Sequence, residues 1–187
     1  MTVDFPDSSI IACICEGGAE IAIMDILLDN DLLKFTREQL IEEQVLPRMK
    51  VAEFQRRYLR REYEQKILIL RVIDSRREEF KLSKAYRCQV EVINVITAPE
   101  IEILIIASKK QYDEYCKSGC KKPSEYCKSK LGLKNVKSPD FIKLYFEDPD
   151  FLVESIKEYH RVHKQKKEVL HFFLGDFNLD SRESTLV

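Results

Sequence analysis

Residues 8–33 read SSIIACIC-EGG-AEIAIMDILLDNDLL, and this stretch decides the fold class. Ser8–Cys15 is a short, Ile-rich apolar run of the kind that forms a strand buried on both faces. Glu16-Gly17-Gly18 interrupts it. From Ala19 to Leu33 the apolar residues Ile21, Met24, Ile26, Leu27 and Leu28 recur at helical spacing. A strand, a glycine turn and a helix make the opening half of a βαβ unit.

Two further runs extend the pattern. Lys66–Ile73 (KILILRVI) reads as a second buried strand that ends at Asp74, and Cys88–Ile96 (CQVEVINVI) as a third. Between the first two, Thr36-x-x-Gln39 has the form of a capping box and predicts a helix start, punctuated at Pro47. Val51–Tyr63 predicts an amphipathic helix with Phe54, Tyr58 and Leu59 inward and arginines outward. The charged stretch 75–84 reads as loop or short helix. Pro99 suits the first position of a helix expected over Ile101–Tyr115. Ser124–Lys130, Pro139–Phe146 and Asp150–His163 predict three more helices, and Val169–Leu174 stays open between a strand and a helix end. Strands alternating with helices imply an α/β fold, a Rossmann-like, mostly parallel sheet flanked by helices, with a helical C-terminal region. Residues 1–115 are expected to form the α/β core and 116–178 a helical part of the same domain. The polar stretch 179–187 is expected to be a flexible tail.

Composition narrows the function classes. The chain has 187 residues, enough for one domain with a sizeable core. Hydrophobic residues make up 44% and charged residues 34%, which suits a solvated globular protein rather than a disordered one. Apolar runs such as Ile67–Leu70 and Ile103–Ala107 fall far short of the ~18 residues of a membrane span. The N-terminus lacks the basic region of a signal peptide. Six cysteines without an export signal are expected to be reduced thiols, so a cytoplasmic location is expected. The net charge of −1 hides local segregation. Pro47–Arg61 carries six bases against Glu53 alone, and Lys109–Lys130 carries seven lysines against three acids. Such segments are solvated helix faces in most proteins; beside an acidic core they also fit a polyanion partner.

Ligands of parallel sheets bind outside the carboxyl ends of the strands. That rule selects Glu16 after the first strand, Asp74 after the second, and Glu100 with Glu102 after the third. Glu20 lies one helical turn beyond Glu16, so both carboxylates can enter one crevice. Carboxylates held close repel, and a bound divalent cation is the usual relief. An acid at the position of Glu20 also suits a helix N-terminus through the macrodipole.

CICEGGAE before an apolar helix, VIDSR at a strand end, and then TAPEIEILIIA resemble the TOPRIM-type nucleases of bacterial phage defence, with the OLD family and RloB-like proteins nearest. The resemblance runs from about Ser8 to Tyr115. It implies a TOPRIM-like fold and a metal-dependent phosphodiesterase or nuclease acting on DNA or RNA, with Mg²⁺ or Mn²⁺ as cofactor and an ATPase as a possible partner protein. Glu16 then matches the family's invariant glutamate, Glu20 a second glutamate one turn on, and Asp74 the first acid of an Asp-x-Asp pair. Glu100 and Glu102 fall where such proteins place further acids, and Lys109 or Lys110 where they place a cation. The metal would be held by Glu16, Glu20, Asp74 and Glu102. The chain departs from the pattern at position 76, where the second Asp is replaced by Arg76. A guanidinium there opposes a second metal. Arg56, Arg57, Arg60 and Arg61, with Arg76, would then follow a nucleic-acid backbone.

The competing expectation is a catalytically inactive module of the same fold that binds nucleic acid or a partner protein. A nucleotide-binding enzyme ranks below both, since no Walker A or G-x-G-x-x-G motif is present. Cys116, Cys120 and Cys127 lack a C-x-x-C spacing, so zinc is not expected there. His160 and His163 sit at a basic helix end rather than in a recognisable metal motif.

Overall fold

The computed structural model describes residues 5, 8–61, 63–74, 79–97, 99–163 and 174–175. Four parallel strands form one sheet: β1 (Ile10–Cys15), β2 (Leu46–Pro47), β3 (Ile67–Ile73) and β4 (Val90–Ile96), in the spatial order β2-β1-β3-β4. Ile10 lies opposite Ile67 and Cys15 opposite Val72, while Ile67 faces Val90 and Ile73 faces Ile96. Every residue of β3 is buried, as its unbroken apolar run requires of a central strand covered on both faces.

The strand period of two divides the side chains between two cores. Cys13, Cys15, Leu68, Leu70 and Val72 face a helical layer that begins with α1 (Gly18–Asp29) and α3 (Ile103–Ser108). Ala12, Ile14, Ile67 and Ile69 face α2 (Val51–Tyr58), which buries Phe54 and Tyr58 against them. The first layer is thickened by α4 (Tyr112–Lys117), α5 (Pro123–Ser129), α6 (Pro139–Tyr145) and α7 (Pro149–Val162), whose buried residues join the same apolar cluster. α3 packs on α7 and α1 on α6. Three of these helices start with a proline, where the missing N–H costs nothing. Ser138 caps α6 by accepting from the Phe141 N–H at 3.1 Å.

Several elements differ from their sequence reading, each for a backbone reason. The helix expected through Leu33 stops at Asp29. Asp31 takes a left-handed φ of 53°, and the Leu32 and Asp31 amides close on Leu27 and Leu28 in a Schellman pattern. The capping box at Thr36 forms, with Thr36 N–H donating to Gln39 Oε1 at 2.9 Å, yet only one 3₁₀ turn follows (Arg37–Gln39). Leu40 must return to bridge Ile11, and the positive φ of Glu42 and Glu43 halts any helix. Pro47, read as punctuation, belongs to the two-residue edge strand β2. The helix expected over Ile101–Tyr115 is two helices, α3 and α4. Lys110, at φ 55°, ends α3 through bonds from Lys110 N to Ala107 O and Gln111 N to Ile106 O. Of 169–174 only Leu174 is described, in an antiparallel bridge to Leu33. Among the described residues no helix is long and apolar enough to cross a membrane.

Gly18, the first residue of α1, makes the α1–α6 contact possible. A Cβ there would stand 2.7 Å from Cγ of Pro139, a rigid ring that cannot swing aside. Gly18→Ala is therefore expected to cost about 1–3 kcal/mol through overpacking. Urea unfolding measures it, and an unchanged midpoint would show that α6 yields without strain.

Candidate functional site

The chain enters the sheet at β1, steps outward to β2, then crosses back to β3 and β4 on the other side. The two directions part between β1 and β3, and their carboxyl ends frame a crevice there. Glu16 leaves β1 with its amide still in the ladder, donating to Val72 O at 3.0 Å. Its carboxylate spans the crevice: Oε2 accepts from the Asp74 N–H at 3.0 Å, and Oε1 from Nη1 of Arg48 at 2.8 Å. Glu16 and Asp74, 58 positions apart in the chain, are thus in direct contact.

Glu20 sits in the first turn of α1, buried. Its carboxylate lies over Gly17, where a Cβ would meet Oε2 at 3.0 Å. Beyond β4, the Thr97 amide continues the ladder by donating to Ile73 O at 2.9 Å, and the chain then delivers Glu100 and Glu102 to the same edge. Both are buried. Glu100 is well partnered: Lys137 Nζ donates to Oε1 at 2.7 Å, while the Ser124 amide and hydroxyl donate to Oε2 at 3.1 and 2.7 Å. Five carboxylates and the Lys137 ammonium line a cleft of about 270 Å³ floored by Gly17 and Gly18.

The electrostatics split these acids into two sets. Burial works to raise the Glu100 carboxyl, but Lys137 and Ser124 outweigh it and hold it below the ordinary carboxylate value. Burial raises Glu20, with the charges of Glu16 and Asp74 adding to it. Asp74 is raised by burial and then by Glu16 and Glu100. Burial pushes Glu102 up to about 7, with Glu100 and Glu20 adding and Lys137 opposing. Three acids therefore hold their protons more tightly than usual because charge is crowded into a dry crevice.

The other expected site residues lie elsewhere. Lys109 Nζ stands over the Tyr145 ring, 5.9 Å from its centroid; the cation lining the cleft is Lys137. α2 runs from the carboxyl end of β2 back toward the start of β3, so Arg60 and Arg61, beyond its last turn, lie toward the opposite, amino edge of the sheet. Arg56 and Arg57 occupy that last turn, with Arg57 Nη2 donating to Glu42 Oε2 at 2.9 Å. Arg76 lies outside the described residues. Two site residues carry no local signal in the sequence. Arg48 follows a strand too short to recognise, and Lys137 is one lysine among many, made distinct only by the fold.

The oxygen-only donor set suits a hard divalent cation such as Mg²⁺ or Mn²⁺ rather than zinc. Among the described residues, however, no three Asp, Glu, His or Cys side chains converge closely enough to hold an ion. Two of the five acids are already engaged by cations, Glu16 by Arg48 and Glu100 by Lys137. All six cysteines are free. Cys127 is buried beside the cleft, its thiol pushed up to about 12 by burial and by Glu102 and Glu100. His163 Nδ1 is hydrogen-bonded with the Tyr112 hydroxyl at 3.1 Å. Comparison of the chain with protein-family models, with curated proteins and with solved structures finds no match in any of the three.

Glu102 generates a pH prediction. Its folded value lies above the ordinary 4.5, so folding favours the neutral acid. That contribution is complete below about pH 4.5 and lost as the pH climbs to about 7. In metal-free buffer the wild type is expected to lose stability over this window, on the order of 3 kcal/mol from this group. Glu102→Gln should be the more stable protein at about pH 8. Urea titrations at both ends of the window decide it; equal stability of the two proteins throughout would mean a hydrated carboxyl.

Proposed function

We propose that the acidic cleft binds a divalent cation, Mg²⁺ or Mn²⁺, and that the protein is a metal-dependent phosphodiesterase acting on nucleic acid. One observation carries the reading. Glu20, Asp74 and Glu102 line a single crevice at the sheet's switch point, the two glutamates buried and Asp74 partly so, and all three have raised affinities for protons. A site that binds protons against their ordinary preference also has free energy to gain from a cation. Asp74, Glu20 and Glu102 would supply the oxygens by drawing closer together than they stand, since among the described residues no three acids converge on one point, joined by Glu16 once Arg48 gives way. A cation there would polarise a phosphoryl oxygen and activate a water. Lys137 would remain beside Glu100 to balance charge next to a phosphate. The resemblance to TOPRIM-type nucleases supports the same chemistry, and an ATPase partner, a phage-defence role and a cytoplasmic location rest on the sequence reading alone.

A second reading has its own observation. Arg48 and Lys137 already neutralise Glu16 and Glu100, and among the described residues no three ligands converge. A module that only binds nucleic acid or a partner protein would look the same.

Cation-dependent stability separates them. Millimolar Mn²⁺ or Mg²⁺ is expected to raise the wild-type Tm, since a ligand at 100 times its Kd stabilises by about 2.7 kcal/mol. Asp74→Asn should lose most of that rise and, in metal-free buffer, melt no lower than wild type because a repelling charge is gone. Cation-dependent cleavage of DNA or RNA should vanish in the same variant. A wild-type Tm indifferent to both cations would sink the enzymatic reading and leave the binding module.

A further inference from the structure

Beside the acidic cleft lies a second, larger depression of about 600 Å³, formed by α5 and the 133–137 loop. It is lined by Lys128, Lys134 and Lys137, with Glu125 as the only acid. Two features join it to the cleft. Lys137 lines both cavities, and Ser124, on the groove wall, donates twice into Glu100. The loop that carries the lysines is held in place. Val136 is buried in the main core, Leu133 N–H donates to Cys127 O at 3.0 Å, and Ser138 N–H to Asn135 O at 2.8 Å. Lys128 and Lys134 are exposed at the groove, while Lys137 is committed to Glu100. The groove thus offers positive charge on a fixed backbone that leads into a pocket of acids.

We infer that this groove is the track for the phosphate backbone of a single nucleic-acid strand entering the acidic cleft, with Lys128 and Lys134 contacting phosphates. The inference rests on the phosphodiesterase reading above and adds where the substrate lies. Charge complementarity selects a polyanion. The absence of any aromatic ring among its lining residues removes the platform on which bases stack, so contact is through phosphate rather than base. It also shifts the expected track away from the α2 arginines. Those follow the helix toward the amino edge of the sheet, whereas the groove opens on the edge where Glu16, Asp74 and Glu102 lie.

The test is the salt dependence of binding to a fluorescein-labelled single-stranded DNA oligonucleotide in metal-free buffer. Each phosphate contact on a single strand contributes about 0.7 to the slope of log K against log salt. The variant Lys128→Gln/Lys134→Gln is expected to lose about 1.4 from the wild-type slope, with an unchanged Tm because both side chains are exposed. Arg60→Gln/Arg61→Gln is expected to retain the wild-type slope. A full slope in the lysine variant overturns the inference while leaving the cleft reading intact. So does a slope lost only in the arginine variant, which would move the track to α2. A wild-type protein that binds no oligonucleotide overturns the inference as well, and the cation-dependent Tm then judges the cleft by itself.

Discussion

In a parallel sheet, every strand that leaves at one edge must return to the other before it can pair again. The register here sets Cys15 opposite Val72 and Ile73 opposite Ile96, so β1, β3 and β4 end within a residue or two of one another. Whatever follows those ends is forced together. Glu16, Asp74 and the Glu100–Glu102 turn meet because the backbone hydrogen bonds of three buried strands have to be satisfied in that register. The bond from the Asp74 amide to Glu16 Oε2 is the local expression of the constraint: a carboxylate at the end of one strand terminates the next.

Charge concentrated in this way is costly, and the fold meets the cost partly with its own cations. Arg48 reaches Glu16 from the end of β2 and Lys137 reaches Glu100 from the α5–α6 connection. Both cations stay more than half exposed, at 55% and 60%, but the carboxylates they meet are largely buried, at 20% and 8%, so losing either cation would strand a charge in the crevice. Among the described residues, Glu20, Asp74 and Glu102 have no ion-pair partner of their own, and burial with neighbouring carboxylates raises all three above the ordinary carboxylate value.

The helical C-terminal region closes the site rather than merely covering the sheet. Pro139 sits on Gly18, where α1 begins, and two residues earlier the same segment delivers Lys137 into the cleft. Val136 and Ile142, on either side, are anchored in the core shared with β1 and β3. The contact that docks α6 on α1 therefore also fixes the position of a cleft cation. Packing and electrostatics are linked through a span of four residues, Val136 to Pro139.

Local sequence was sufficient for the three long strands: β1 and β3 are apolar runs that end at an acid, and β4 alternates before it runs apolar. It was sufficient for the turn at Gly17-Gly18 and for the acids at the strand ends. It did not reveal β2, whose two residues exist only because β1 offers a partner. Nor did it stop the helices at Asp29 and Ser108, where left-handed residues that are not glycine take the cap. Periodicity showed which face of α2 is buried. Its direction relative to the strands decided that Arg60 and Arg61 lie toward the edge away from the acids. Lys137 could be found by no sequence rule, since its role comes from a carboxylate 37 residues away brought within 2.7 Å. The chain by itself determined which residues must be buried and where strands must end, because those follow from apolar periodicity. Only the tertiary structure decided which charges meet, because that depends on strand order and register, and neither is encoded in any short stretch.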